Sequence, residues 1–397
     1  MILSKWSFCL SIVCAIFVSC SSSSTDQQNS NVQENNSRAL IIYGADGTVT
    51  SYDIDDKKVN WTYKNPGEVE NRDNTFTIEN DLIYVPFSKG NVTVLNARNG
   101  TVKWSKQLIS ARDLINSKLE DTSYVINGQS AAISKDRIYL SARNSQLYAL
   151  NKEDGNNLWK TPLKGPYTNY PPLFIGDFGY TNNQEVLYKF DQKNGSIVWE
   201  TGFKKHPLNA KPASDGTLIY SSDGIKELYA TDQDSKLKWK FISPYPDGLS
   251  YDKLLTGENT VYMVGGNLKT NTTAIVAVNT ANGTKKWESV FNNQMITYFQ
   301  NIGGKIYAYT DQVFFVLDEK TGVQEFSADF PSFEQAGQET AISNIVQIDP
   351  KTVIYQSNNG IVSFDMESRS FSIDYEIRAP KSSFPRNVTW IEMLGAK

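Results

Sequence analysis

Leu147-Tyr-Ala-Leu-Asn-Lys-Glu-Asp-Gly-Asn-Asn-Leu-Trp159 holds the pattern on which the whole chain is built. Its first residues alternate in the manner of a short strand and end on Asn151, whose side chain can bond backbone amides two residues on and so begin a turn. Gly155 follows four residues later, where a tight connection needs positive φ. A further strand then carries Trp159. The same order recurs eight times, each copy headed by a Tyr-bearing strand 10 to 17 residues before the Asp or Asn anchor. The tyrosines are Tyr43, Tyr84, Tyr139, Tyr180, Tyr220, Tyr262, Tyr307 and Tyr355, and the anchors are Asp53, Asn96, Asn151, Asp191, Asp232, Asn279, Asp318 and Asp365. Seven or eight residues past each anchor comes an aromatic or apolar slot: Trp61, Trp104, Trp159, Trp199, Trp239, Trp287, Phe326 and Ile373. Successive anchors lie 43, 55, 40, 41, 47, 39 and 47 residues apart. That period is one four-stranded blade of a β-propeller and is too long for the shorter solenoid repeats.

Each blade is read as strands A to D from the ring axis outward. Strand B carries the Tyr (residues 82–84, 137–139, 260–262 and 305–307), strand C runs to the anchor, strand D carries the Trp, and strand A lies upstream, as at 75–79, 131–134 and 344–348. The first copy starts at strand B, residues 40–43, with no room for an A strand before it. The last copy is complete by about residue 377 and leaves Asn387-Val-Thr-Trp-Ile-Glu-Met-Leu394, which reads as the missing strand A. The expected fold is all-β: an eight-bladed β-propeller of four-stranded antiparallel blades, closed by pairing of N- and C-terminal strands, which removes exposed sheet edges. Seven blades with an irregular edge is the other reading of the count.

Composition fits such a protein, with 40% hydrophobic and 12% aromatic residues and a formal charge of only -4. No basic run points to nucleic acid or to an anionic membrane surface. Residues 1–19 carry one early lysine, Lys5, and an apolar stretch over 8–18 that is too short to read as a membrane span. All three cysteines, Cys9, Cys14 and Cys20, fall in this leading segment, so the body has no thiol nucleophile or thiolate ligand. Phe17-Val-Ser-Cys20 resembles a bacterial lipoprotein signal, which implies cleavage before Cys20, a lipid on that cysteine and, with Ser21 after it, delivery to the outer membrane. An ordinary signal peptide or an anchor helix are the other readings. Residues 20–38 are then the lipidated cysteine and a polar tether rich in Ser, Asn and Gln, with a span of roughly 20 to 25 Å for a flexible chain. Residues 39–397 form the propeller domain.

The repeat resembles the pyrroloquinoline-quinone-type propeller repeat, with its Tyr-Ala-Leu-Asp, Gly turn and Leu-Trp, over about residues 40 to 394. Among lipoproteins of this length the chain resembles the BamB-like outer membrane protein assembly family. That resemblance implies a non-enzymatic periplasmic scaffold whose partners are the β-barrel assembly machinery and nascent outer membrane proteins, lipid-anchored, with no cofactor. The family's partner contacts imply roles for two stretches here, Phe203-Lys-Lys-His-Pro-Leu208 and Pro246-Asp-Gly-Leu-Ser-Tyr-Asp-Lys253, although their residues depart from the family's Leu/Arg and acidic pattern.

The rival reading is a small-molecule or quinone-binding propeller, such as a degenerate form of the quinone-dependent dehydrogenase class. That class resembles longer chains with a vicinal cysteine pair, and no Cys-Cys occurs here. The regularly placed carboxylates are already explained as turn anchors, and the single histidine, His206, cannot build a Ser/His/Asp set. Gly265-Gly266 lies in an expected blade loop without phosphate-loop context. The long excursions, 62–74, 105–129, 160–170, 241–250, 265–273 and 327–343, all fall on one face of the ring, where the working surface is expected. Residues 110–121 have apolar Leu114, Ile115 and Leu119 at helical spacing, which suits a lid helix or core packing equally. The expected protein-binding residues are Arg112, Lys118, Lys204, Lys205, Asp252 and Lys253. Tyr167, Tyr170, Tyr245, Tyr251, Phe330 and Phe333 fall in the same loops, where either a protein ligand or blade-to-blade packing accounts for them.

Overall fold

A computed structural model describes residues 38–68, 75–109, 125–126, 129–164, 170–183, 185–202, 208, 210–248, 253–333, 337–379 and 389–395. Within them eight antiparallel sheets follow one another, and each is a blade. Blade three is typical, with strands Ala132–Ser134, Arg137–Ala142, Gln146–Asn151 and Asn157–Pro162 in that order from the axis outward. Strands B and C are buried on both faces because neighbouring blades stack against them, so they read as nearly continuous apolar runs. Strand D is half covered and alternates, as Asn157–Pro162 shows.

The first blade is composite, as expected. Thr389–Met393 lies inside Ala39–Gly44, followed by Thr48–Asp53 and Lys58–Lys64. Ile42 faces Ile391 and Leu40 faces Met393 across the junction. Asn344, at the entry to the last blade's inner strand, clamps the closing strand through both of its amide atoms. Its Nδ2 donates to the Ile391 carbonyl and its Oδ1 accepts from the Ile391 amide, each at 2.8 Å. The Tyr52 hydroxyl donates to Asp374 Oδ2 at 2.5 Å, which ties the first blade to the eighth on the outer side.

All eight repeat tyrosines are buried in B strands, between apolar residues of adjacent blades. The hairpins from A to B are tight. Asn80 and Asp81, and likewise Gly303 and Gly304, take positive φ at both central positions, the geometry that a two-residue hairpin requires.

Blade six departs from the four-strand plan. Its B and C strands, Thr260–Asn267 and Thr272–Asn279, run eight residues each, and the inner layer is split into Leu255–Gly257 and Asp247–Gly248, both paired to the B strand. The expected loop at 265–273 is therefore a β-ribbon, and Gly265 and Gly266 are strand residues. A Cβ on Gly265 would come within 2.9 Å of Ser243 Oγ and 3.0 Å of Tyr245 Cβ, so the glycine makes room for the segment that crosses it. The excursion over 327–343 likewise carries a small hairpin, Ser332–Phe333 with Gly337–Gln338.

Candidate functional site

The C-to-D and A-to-B connections share a turn face, and there the anchors do what their residue type predicts. Asp53 Oδ1 accepts the amides of Asp55 and Asp56 at 3.0 and 2.9 Å, and Asp191 Oδ1 those of Lys193 and Asn194 at 2.7 and 3.2 Å. The Ser368 amide and hydroxyl hold Asp365 below the usual carboxylate range, and the Thr321 hydroxyl and amide do the same for Asp318. Carboxylates committed to amides in this way are poor acid–base catalysts at neutral pH.

The tryptophans have a role that the spacing did not disclose. In the six repeats that carry one, the indole Nε1 reaches into the next blade and donates to the carbonyl one residue past that blade's anchor. The pairs are Trp61 to Ala97, Trp104 to Lys152, Trp159 to Gln192, Trp199 to Gln233, Trp239 to Thr280 and Trp287 to Glu319, at 2.8 to 3.2 Å. The ring of the indole lies against the turn glycine. A Cβ on Gly195 would stand 2.4 Å from Trp159 Cε3, and one on Gly283 2.7 Å from Trp239 Cδ2. Where Phe326 replaces Trp, the Arg369 guanidinium of the next blade caps it at 5.7 Å. A cleft of about 380 Å³ opens on this face between blades three and four, lined by Lys135, Arg137, Tyr139 and Asp177 among others. Its charges are answered internally: Lys135 pairs with Asp177 at 2.5 Å and Arg137 donates to the Lys193 carbonyl at 2.7 Å.

On the opposite, loop face the blade-six ribbon is the most developed feature. The Leu268 amide at its tip is fixed by Asp247 Oδ2 at 2.8 Å. Leu268 is 58% exposed, and Ile242 and Val290, on the outer strands of blades five and six, are 53% and 46% exposed. Exposed apolar side chains also occur at the start of outer strands on the turn side, such as Val59, Val102, Leu237 and Val323, but these are distributed one to a blade.

Of the loop aromatics, Phe330 is buried against Tyr309 and Tyr355, and Tyr245 packs onto the core between blades five and six. Packing between blades, rather than ligand contact, accounts for both. Phe333 meets Tyr375 edge to face, and the Tyr170 carbonyl accepts the Ser141 hydroxyl at 3.2 Å. Tyr167 and Tyr251 lie outside the described residues, as do His206 and the segment 110–121.

The expected protein-binding residues Arg112, Lys118, Lys204, Lys205 and Asp252 also lie outside the described residues. Lys253 is described. It sits two residues ahead of Leu255–Gly257, where the loop face meets the axis, with Nζ 3.2 Å from the Tyr298 hydroxyl and 4.3 Å from its ring centroid. Burial, followed by repulsion from Lys211, pulls its ammonium down to about 7. Nothing in a linear reading singles out Lys211 or Tyr298 as its neighbours, because each belongs to a different blade. Among the described residues no group of three or more His, Cys, Asp or Glu is placed to hold a metal ion, and no helix is long and apolar enough to cross a membrane.

Comparison with known proteins agrees with the architecture. The chain is 26% identical over 201 residues to the outer membrane protein assembly factor BamB of Salmonella typhimurium, a match covering 47% of this chain and 46% of that protein. The chain thus spans about half the length of the curated relatives it matches. The crystal structure of BamB from Moraxella catarrhalis superposes with a TM-score of 0.60 at 20% identity, over 82% of this chain and 92% of that one. Quinohemoprotein alcohol dehydrogenase from Comamonas testosteroni gives 0.62 at 11% identity, over 87% of this chain and 74% of that one. At these identities the superpositions establish the fold alone. The family model for outer membrane protein assembly factor BamB matches residues 23–125, 182–267 and 248–383, and on that match the chain, with its eight locked blades, belongs to the BamB family.

Proposed function

We propose that this chain is a non-enzymatic scaffold of outer membrane protein assembly, held at the periplasmic face of the outer membrane by a lipid on Cys20 and contacting the β-barrel assembly machinery through its loop face. Family membership supports the assembly role. The observation that carries the contact surface is the blade-six ribbon, a rigid element that presents Leu268 in the same sector as Ile242 and Val290. Apolar side chains on a braced β-ribbon suit a protein partner, because little ordering entropy is lost on contact. The carboxylates that recur with the repeat are spent on turns, which leaves the regular part of the fold without an evident acid–base pair.

The test is co-purification from detergent-solubilised envelopes. Leu268→Asp should weaken recovery of the β-barrel assembly machinery while leaving the melting temperature near wild type, since the side chain is exposed. Unchanged recovery would remove the ribbon from the contact surface. Cys20→Ala should abolish fatty-acid labelling and release the protein from membranes. Wild-type protein that takes up no labelled fatty acid would overturn the anchor. The dehydrogenase reading rests on the shared fold and on a match to polyvinylalcohol dehydrogenase of Pseudomonas sp, 23% identical over 38% of this chain and 26% of that protein.

A further inference from the structure

The inner strands of blades five, six and seven begin where the loop face opens onto the central channel. Lys211 lies two residues ahead of Ala213–Ser214, Lys253 two residues ahead of Leu255–Gly257, and Tyr298 opens Tyr298–Ile302. These strands pack side by side, so the three residues line one arc of the channel.

Tyr298 is fixed from several sides. Its hydroxyl donates to Gln300 Oε1, accepts the Ile345 amide and faces Lys253 Nζ at 3.2 Å. The phenol therefore offers Lys253 a lone pair and no compensating charge. Lys211 keeps access to channel water although protein surrounds it, and burial lowers its pKa. The backbone beneath it is held by the fully buried Asn182, whose Nδ2 donates to the Ala210 carbonyl at 3.2 Å. Among the described residues, Lys211 and Tyr298 are the groups that act on Lys253. Among the described residues no carboxylate faces either ammonium. Elsewhere on the ring Lys64, Lys103, Lys152 and Lys305 each meet an Asp or Glu.

Two like charges held together in a partly desolvated channel destabilise the empty protein and attract an anion. Donors are also in surplus, because the three N–H groups of the Lys253 ammonium face one phenol oxygen and Lys211 adds three more. We propose that Lys211 and Lys253, with Tyr298 beside them, form a binding site in the central channel for a small oxyanion, a carboxylate or phosphate carrying at least two negative charges. The site is independent of the assembly role and of the ribbon surface.

Calorimetric titration of the full chain in detergent, at low ionic strength, tests it with citrate, inorganic phosphate and pyrophosphate as separate probes. At least one should bind with one-to-one saturation, and which one separates carboxylate from phosphate recognition. Affinity should fall by about tenfold or more in both Lys211→Met and Lys253→Met, and Lys253→Arg should retain most of it. At pH 8 binding should take up a proton, seen as a heat that depends on the buffer, because the anion restores the charge on Lys253. Lys253→Met should lose that dependence. Without ligand both Met variants should melt no lower than wild type, since each removes an uncompensated charge. The proposal fails if none of the three probes saturates at millimolar concentration, if both Met variants bind as wild type does, or if ligand-free Lys253→Met melts well below wild type.

Discussion

Three residue types make the contact between one blade and the next: the anchor carboxylate or amide, the glycine four residues on and the indole of the preceding blade. The glycine answers two demands at once, a left-handed φ of 75° at Gly195 and the absence of a Cβ beneath Trp159. Gly195→Ala should therefore cost about 2 to 4 kcal/mol, combining backbone strain with overpacking. A shift of the denaturant midpoint without a change in slope would measure it, and an unshifted midpoint would contradict this account. The anchor and the glycine were legible in the sequence because their chemistry is local. The indole's partner was not, since Trp159 and the Gln192 carbonyl belong to different repeats. Lys253 shows the same limit. Its ordinary pKa of 10.5 falls to about 7 on folding, so between those values the unfolded chain binds more protons than the native one. Stability should then rise as pH increases from about 7 towards 9. Buried tyrosines oppose the trend above pH 10. Burial pushes Tyr84, Tyr139, Tyr180 and Tyr307 up to about 12, so the unfolded state gives up its phenolic protons first and stability falls. Thermal melts across this range should show the rise in wild type and lose it in Lys253→Met.

At the scale of the element, repeat periodicity located the strands well and the excursions poorly. Strand A was expected at 131–134 and is found at Ala132–Ser134, because its neighbours in the blade dictate where it can pair. The ribbon of blade six reads as a loop in the sequence. Gly265-Gly266 has no β propensity, and the crossing segment that requires glycine there is separated from it in sequence. The closing strand was legible from arithmetic, as a residue stretch left over after the last repeat. Its clamp was not, because Asn344 gives no sign in sequence of addressing Ile391. Asn344→Ala would leave a buried amide and a buried carbonyl of the closing strand without partners. The expected loss is about 2 to 4 kcal/mol, with hydrogen exchange in Thr389–Met393 accelerated before that in other inner strands. Uniform acceleration throughout the ring would show that the clamp does not act locally.

The propeller unit is a ring whose blades each lean on the next, so its integrity depends on a junction between residues some 350 positions apart, such as Ile42 and Ile391. Removing residues 386–397 takes away the inner strand of the first blade and bares the edge of Ala39–Gly44. Such a protein should associate or melt at a lower temperature, observable by light scattering and calorimetry. If it remains monomeric and equally stable, the closing strand is dispensable. The same junction sets an order of events. A chain that emerges from its amino terminus can build blades two to eight locally while the first blade waits for its final strand. The slowest search in folding is thus the docking of residues Thr389–Met393, which closes a loop of some 350 residues. Until they dock, the first folded strands are the ones left most open to a wrong partner.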